Sequence, residues 1–239
     1  MQENNNVKMG LRDGIPICLG YFSVSFAFGI FACGSGLSVL EAVLISMFNV
    51  TSAGQLAAVP IIVGGGGFLE LALTQLIINL RYALMSVSLS QKLGKSVRLG
   101  DRFAIAFVNT DEVFAVASAQ HGNVGRKYLY SLIVTPFLGW TLGTLTGAVA
   151  GNILPEVVVS ALGIAIYAMF VAIVIPATKE NRSTALCALF SVALSCLFFF
   201  APILNKIPSG FVIIICAVTA SVVFAIVAPI PDEEVNEDA

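Results

Sequence analysis

The stretch SGFVIIICAVTASVVFAIVAPI, residues 209–230, contains no charged side chain. An apolar helix needs about 20 residues to cross roughly 30 Å of bilayer hydrocarbon, so this stretch is long enough. Neither it nor the other uncharged runs alternate strictly between apolar and polar residues, as strands of an outer-membrane barrel do, so helices are predicted. The other uncharged runs are residues 14–40, 42–69, 128–155, 157–178 and 183–205.

The composition places the chain among membrane proteins. Of its 239 residues 58% are hydrophobic and 11% are charged, and the mean hydropathy is +0.95. Soluble domains carry about 45–50% apolar and about 25% charged residues. The net charge of −2 and the lack of a basic stripe argue against nucleic-acid binding. The sequence therefore predicts an all-α polytopic membrane protein.

The hydrophobic sequence divides into a bundle of about six to eight helical elements. The second element is interrupted by residues 49–55 and the fourth by residues 109–112, so both are predicted to be broken or re-entrant. Polar groups at membrane depth are tolerated only where they face protein or water. The elements are residues 15–33, 39–62, 67–91, 101–119, 128–151, 155–177, 183–203 and 209–230.

Self-alignment of the chain predicts an internal repeat. At an offset of 115 it pairs, for example, Glu41 with Glu156. Weak two-fold symmetry with interrupted helices is the usual plan of secondary transporters. The predicted boundaries are 1–14 for a polar N-terminal segment, 15–230 for the transmembrane domain, 15–119 and 128–230 for its pseudo-repeats, and 231–239 for an acidic tail.

Lysine and arginine residues predict the orientation. Residues 92–102 carry four of them, which indicates a cytoplasmic connection by the positive-inside rule. Arg126 and Lys127 lie on the same side of the membrane if the fourth element enters the membrane and returns to the side where it began. Lys8 and Arg12 join them only if the second element is also re-entrant. The number of crossings and the side of the N-terminus stay open at this point.

Three charged residues lie near the middle of hydrophobic elements: Arg81, Asp111 and Glu112. A charge at the bilayer centre costs about 2.5–3.5 kcal/mol, so the three together would cost roughly 8–10 kcal/mol if unpaired. One interpretation is an ion pair between Arg81 and one of the acids. The other keeps Asp111 or Glu112 free for a substrate amine or for a coupling proton.

Two further sets of polar residues are candidates for a binding site. A helix that restarts within residues 51–55 would present backbone N–H groups and a positive dipole end, which suit a carboxylate. Capping of the new helix by Thr51 or Ser52 is compatible with that role. The third element carries polar residues on one helical face. The candidates are Thr51, Ser52, Gly54 and Gln55 in the first set and Gln75, Asn79, Tyr82 and Ser86 in the second.

Four glycines recur at every fourth position of the fifth element. Such a stripe allows close backbone approach between helices, either within the chain or with a second chain. We therefore expect a packing role for Gly139, Gly143, Gly147 and Gly151.

The residue inventory argues against an enzyme. The single histidine, His121, lies in a polar loop, and Asp111 is the only aspartate in the middle of an element. No nucleophile-elbow or nucleotide-binding motif is present. No metal, cofactor or catalytic residue is therefore predicted.

Several motifs together resemble a known family. The most specific are Asn79-Leu-Arg-Tyr-Ala-Leu-Met85 and Thr110-Asp-Glu-Val-Phe-Ala115. Others are Gly14-Ile-Pro, Phe26-x-Phe-Gly29, Gly36-Leu-Ser, Glu41-Ala and Gly54-Gln-Leu-Ala-Ala-Val59. The chain resembles the AzlC family of branched-chain amino acid permeases, in register over about its first half. Tyr82 stands where that family often has histidine, which weakens any histidine-based proton role.

The resemblance implies export of branched-chain amino acids across the cytoplasmic (inner) membrane, with a small AzlD-type membrane subunit as partner. Because one buried methylene group contributes only about 0.8 kcal/mol, we expect leucine, isoleucine, valine and methionine all to be used. Because the sequence has no nucleotide-binding motif, we expect a proton or the membrane potential to drive transport. We expect membrane lipid to surround the protein and predict no nucleic-acid partner. Our hypothesis places the carboxylate at residues 51–55 with help from Arg81, and the ammonium at Asp111 or Glu112. Asn79 and Tyr82 also belong to the site, and the substrate side chain contacts Phe22, Phe26 and Phe28.

Two other classes of function stay open. The chain would also suit a channel or carrier for another small zwitterionic or anionic solute. A non-transporting membrane scaffold held by the glycine stripe is the second alternative. Charged residues in the middle of membrane helices cost free energy that a scaffold has no need to spend, which favours transport.

Overall fold

The structure is a computed structural model that describes residues 3–151, 153–155, 157, 171, 174–176, 178–179 and 181–228. Within these residues the regular structure is helical and contains no named strand, which confirms an all-α polytopic membrane protein. Glu156, most of the sixth predicted element and the acidic tail lie outside the described residues. The chain forms two compact units, Met1–Ala168 and Met169–Ala239.

Five of the described helices are long and apolar enough to cross a membrane: Val7–Gly34, Phe68–Ser90, Arg126–Gly151, Arg182–Phe200 and Ser209–Val227. The described helices are α1 (Val7–Gly34), α2 (Val39–Phe48), α3 (Ser52–Val63), α4 (Phe68–Ser90), α5 (Leu99–Phe107), α6 (Asp111–Ser118) and α7 (Arg126–Gly151) in the first unit, and α8 (Arg182–Phe200) and α9 (Ser209–Val227) in the second.

The first helix begins earlier than predicted. We expected it at residue 15, but α1 starts at Val7 because Asn6 caps it, accepting a hydrogen bond from the Met9 backbone N–H at 3.3 Å. Hydropathy marks the apolar part of a helix, whereas the cap marks its true start. The polar first turns, with Lys8 and Arg12, are therefore helical.

Parallel packing of α1 against α7 forms the centre of the first unit. Gly139 faces the Cys18 carbonyl, 121 positions earlier, and this offset is constant along the interface. A constant offset means that the two helices run in the same direction with their backbones in close contact. Glycines on both helices allow this close approach, because they have no side chain to hold the backbones apart. The contacting pairs are Gly10 with Ser131, Gly14 with Thr135, Gly143 with Phe22, Gly147 with Phe26 and Gly151 with Ile30.

A small cluster of backbone hydrogen bonds fixes the direction of α4. Val124, just before α7, bridges to Asn4, just before α1, and to Leu93, just after α4. The Asn4 N–H donates to the Asn123 carbonyl and the Gly94 N–H donates to the Val124 carbonyl, both at 2.8 Å. The starts of α1 and α7 therefore lie on the same side as the end of α4, so α4 runs antiparallel to both.

The second predicted element is a helical hairpin, α2–α3, which we name the first hairpin. It starts where α1 ends, with a capping box in which the Glu41 carboxylate accepts from the Ser38 N–H at 2.7 Å. The chain breaks at residues 49–51, the first tip, and α3 returns antiparallel to α4. Gln75 of α4 donates to the Gly54 carbonyl at 2.9 Å.

The fourth predicted element is also a helical hairpin, α5–α6, the second hairpin. Its break, residues 108–110, is the second tip, where the Asn109 amide donates to the Ser86 hydroxyl of α4 at 3.2 Å. At the other end of α6 the Lys92 ammonium donates to the Ser118 carbonyl. Both ends of this hairpin therefore lie on the side where α4 ends.

The two predicted breaks are confirmed, and both hairpins return to the side from which they start. As a result Lys8 and Arg12 share a side with the cations of residues 92–102 and 126–127. We call this the cationic side, and the positive-inside rule predicts that it is cytoplasmic.

One long helix followed by a hairpin occurs twice in the first unit. The segment α1–α3 and the segment α4–α6 share this order but run in opposite directions, as in inverted repeats of transporters. The longer pseudo-repeats over 15–119 and 128–230 stay a prediction, because much of the second repeat lies outside the described residues.

The second unit contributes a pair of apolar helices. Helices α8 and α9 pack together, and the rings of Phe190 and Phe224 lie 6.1 Å apart. Their surfaces are largely apolar and exposed, which suits contact with lipid.

We predict that Gly147→Ala destabilises the protein by about 1–3 kcal/mol, since the new methyl group would collide with the Phe26 carbonyl of the backbone. Thermal unfolding of the purified protein in detergent measures the effect. The matched control is Gly20→Ala in α1, where no atom lies within 4 Å of the new methyl group. Equal unfolding temperatures for the two variants would contradict the close α1–α7 contact.

Candidate functional site

The two hairpin tips meet near the middle of α4. An Arg81 guanidinium nitrogen (Nη2) lies 2.9 Å from an Asp111 carboxylate oxygen (Oδ2) at the start of α6. The same nitrogen donates to the Tyr82 hydroxyl at 3.1 Å, and that hydroxyl donates to the Thr51 hydroxyl at 3.3 Å. A continuous polar chain therefore joins the first tip to the second.

The ion pair is open to its surroundings. The Arg81 side chain is 54% exposed and the Asp111 side chain is 47% exposed. Asp111 thus has the partner that the ion-pair interpretation expected, and a small molecule can still reach both charges.

The second acid, Glu112, is held by α1. Tyr21, near the middle of α1, hydrogen-bonds to both the Glu112 carboxylate and the Thr110 hydroxyl, the latter at 2.5 Å. Its ring packs edge-on against Trp140 of α7, with 5.0 Å between centroids. Glu112 itself is exposed. This acid therefore has a neutral hydrogen-bond partner, whereas Asp111 has a charged one.

The helices that follow the tips lack side-chain caps. Thr51 precedes α3 and Thr110 precedes α6, yet neither hydroxyl bonds to the first turn of its own helix. Each is hydrogen-bonded to a tyrosine instead, Tyr82 and Tyr21 respectively. The first-turn N–H groups of α3 therefore keep capacity for an anion, and the positive end of the helix dipole favours one.

Amide side chains attach the first tip to α4. Gln75 accepts from the Asn49 amide at 3.0 Å and from the Asn79 amide at 3.3 Å. Its own amide donates to the Gly54 carbonyl. Asn79 therefore supports Gln75, while Gly54 brings the α3 backbone close to α4.

Gln55 faces away from the ion pair. It is fully buried and donates to the Ser46 hydroxyl at 2.8 Å, which lies 2.5 Å from the Thr144 hydroxyl of α7. Gln55 thus joins the two arms of the first hairpin to the α1–α7 pair. Ser52 is the first residue of α3 and is half-buried.

The three phenylalanines lie on two faces of α1, with Phe28 on one and Phe22 and Phe26 together on the other. Phe28 is buried in an apolar cluster with Ala42 of α2 and Val59 of α3. Phe22 and Phe26 stack on each other with ring centroids 6.5 Å apart. Their contact with a substrate side chain stays a prediction.

Some residues of the site escaped the sequence reasoning. Tyr21 is a phenol inside a long apolar stretch, and Asn49 and Asn109 each stand just before a helix restarts. The sequence signal that could have identified these residues is a polar side chain within an apolar stretch or just before a helix restarts. Across the described residues, no group of three or more His, Cys, Asp or Glu side chains is arranged to hold a metal ion.

A polytopic helical protein in which two re-entrant hairpins meet around charged residues has the architecture of a transporter-type membrane protein. The family model described as AzlC protein matches residues 16–154, which include both hairpins and the ion pair. The chain belongs to the AzlC family, a family of membrane transport components rather than enzymes.

Two relatives extend the comparison over most of the chain. The chain is 28% identical to "Inner membrane protein YgaZ" of Escherichia coli K12 over 231 residues, 94% of this chain and 93% of that protein. It is 32% identical to an "Uncharacterized membrane protein" of Archaeoglobus fulgidus over 190 residues, 79% of this chain and 83% of that protein. No solved structure matches the chain.

Proposed function

We propose that the protein is a secondary transporter that exports branched-chain amino acids across the cytoplasmic membrane, with a small AzlD-type subunit as partner. The observation that carries this proposal is the half-exposed Arg81–Asp111 pair at the junction of the two hairpins. Membership of the AzlC family supports transport as the activity.

The ion pair is complementary to an amino acid. A zwitterion that inserts between the two side chains offers its carboxylate to Arg81 and its ammonium to Asp111. Each charge keeps an opposite charge beside it, so neither is left unpaired in the membrane. This exchange needs no ion to accompany the substrate into the site.

The start of α3 supports the same orientation of the substrate. Its uncapped N–H groups lie beside Tyr82, next to Arg81, and suit the same carboxylate. Thr51, Ser52 and Gly54 are small, which allows close approach to the backbone. The apolar substrate side chain is proposed to contact Phe22, Phe26 and Phe28.

The proposed drive is a proton carried by Glu112 or Asp111, or the membrane potential. The two acids differ in their partners, since Glu112 accepts a hydrogen bond from the neutral Tyr21 hydroxyl whereas Asp111 pairs with the Arg81 cation. The proposed small subunit and membrane lipid would cover the exposed apolar row of α4, which consists of Leu76, Leu80, Leu84 and Val87.

Asp111→Asn is expected to abolish export, since the amide cannot neutralise the substrate ammonium. Cells loaded with branched-chain dipeptides report leucine and valine efflux, with and without the small subunit. Glu41→Gln is the matched control, because glutamine preserves the capping box at the start of α2. Normal efflux from Asp111→Asn at wild-type abundance would remove Asp111 from the site.

Selectivity among the branched-chain substrates is expected to be weak. Leucine and valine differ by one methylene group, which is worth about 0.8 kcal/mol when buried, or roughly fourfold in affinity. Competition between the two in the efflux assay measures this ratio. A hundredfold preference for either one would contradict recognition by apolar contact.

Glu112→Gln is expected to separate transport from proton coupling. Uphill efflux driven by a pH gradient should stop, while exchange of labelled for unlabelled leucine should continue, because Asp111 and Arg81 remain. Proteoliposomes with an imposed pH gradient measure both activities. Uphill efflux that persists in the variant would point to the membrane potential or to Asp111.

A further inference from the structure

A groove of about 440 Å³ runs between the first turns of α1 and α7, on the cationic side of the first unit. Its apolar walls include Val7 and Leu11 of α1 and Val134 of α7, and all three side chains are exposed. Both helices are long and apolar enough to cross a membrane, and the groove lies where each of them begins. The groove therefore opens toward lipid, close to the membrane surface.

The apolar surface continues from the groove toward the middle of both helices. Ile15 and Leu19 on α1 and Leu138 on α7 are each at least half exposed. They follow the groove residues at intervals of four, which keeps them close to the same helical faces. We call these side chains and the groove the apolar track. From Val7 to Leu19 it covers about 18 Å of helix, and one leaflet of hydrocarbon is about 15 Å thick.

Two cations stand at the end of the groove that faces the membrane surface. Arg126 is half-exposed, although its Nε lies 2.9 Å from a buried Asp101 carboxylate oxygen. Tyr130 donates to the same carboxylate at 2.9 Å, so Asp101 already has two partners. Lys127 is exposed and forms no ion pair with any described residue. The mouth of the groove thus carries a positive charge that no acid of the described chain neutralises.

We propose that this groove binds one anionic glycerophospholipid from the leaflet on the cationic side. An acyl chain lies along the apolar track, and the phosphate lies beside Lys127 at the mouth. The walls contact only the chain, while the charged headgroup stays outside them, level with the exposed cations. Basic residues at the cytoplasmic ends of membrane helices attract anionic lipid in this way. A lipid held there contacts both helices of the α1–α7 pair.

Native mass spectrometry of the delipidated full chain in detergent measures the affinity for single lipids. We expect phosphatidylglycerol to bind about fivefold more tightly than zwitterionic phosphatidylethanolamine with the same acyl chains. Lys127→Gln should remove this preference, whereas Lys127→Arg keeps the charge and should preserve it. Lys206→Gln, which removes a cation of the second unit, is the matched control and should change nothing. Arg126 is left in place because it also holds Asp101.

A second pair of variants tests the groove as the site of the acyl chain. Val134→Trp places an indole ring in the groove and should weaken phosphatidylglycerol binding about tenfold or more, since each displaced methylene group is worth roughly fourfold in affinity. Val149→Trp is the matched control, because Val149 is also 46% exposed and lies on the same helix, about 22 Å farther along. The compound sn-glycerol 3-phosphate has the phosphate but no acyl chain, and it is expected not to compete.

Each alternative result overturns the lipid site. Equal affinity for the two lipids excludes recognition of the anion, and unchanged binding by Val134→Trp excludes the groove. Competition by sn-glycerol 3-phosphate would leave a plain anion site in place of a phospholipid site. A second copy of the chain or a small subunit that dissociates in Val134→Trp, with lipid binding unchanged, would show that the groove docks protein. None of these measurements involves export, so failure of the lipid site leaves the proposed function as it stands.

Discussion

Every interruption of a helix inside a membrane leaves backbone and side-chain polar groups that must find partners within the protein. In this chain α4 supplies those partners for both interruptions. Gln75 and Tyr82 hold the first tip, while Arg81 and Ser86 hold the second. The Arg81–Asp111 pair lies between the two sets, so the position of each hairpin depends on the other through a single helix.

The helices of the first unit differ in how tightly they pack. Glycines let α1 and α7 pack backbone to backbone, and Tyr21 and Trp140 extend this pair toward the second tip. Helix α4 is largely exposed, although it carries the polar contacts. The side chains that hold the two hairpins therefore belong to a largely exposed helix, which lies beside a pair of helices in backbone contact.

Hydropathy and polar interruptions predicted the helices and both breaks, because these depend on composition and spacing. They offered the pairing of Arg81 with an acid as one of two interpretations. The return of both hairpins to their starting sides depends on contacts around Val124, which a hydropathy pattern does not contain. The sequence also could not predict which way the Gln55 side chain faces. A glutamine amide can hydrogen-bond to a ligand or to a neighbouring helix with the same donor and acceptor. The early start of α1 was missed because its first turns are polar and only Asn6 marks them.

The parallel contact of α1 with α7 also has a consequence for biogenesis. The ribosome delivers α1 first, but the glycine face that matches it emerges more than a hundred residues later. Until then the Tyr21 ring lacks its neighbour Trp140, and Gly10 and Gly14 lack theirs, Ser131 and Thr135. Assembly of the first unit is therefore completed late, because α1 reaches its main packing partner only after α7 has been synthesised.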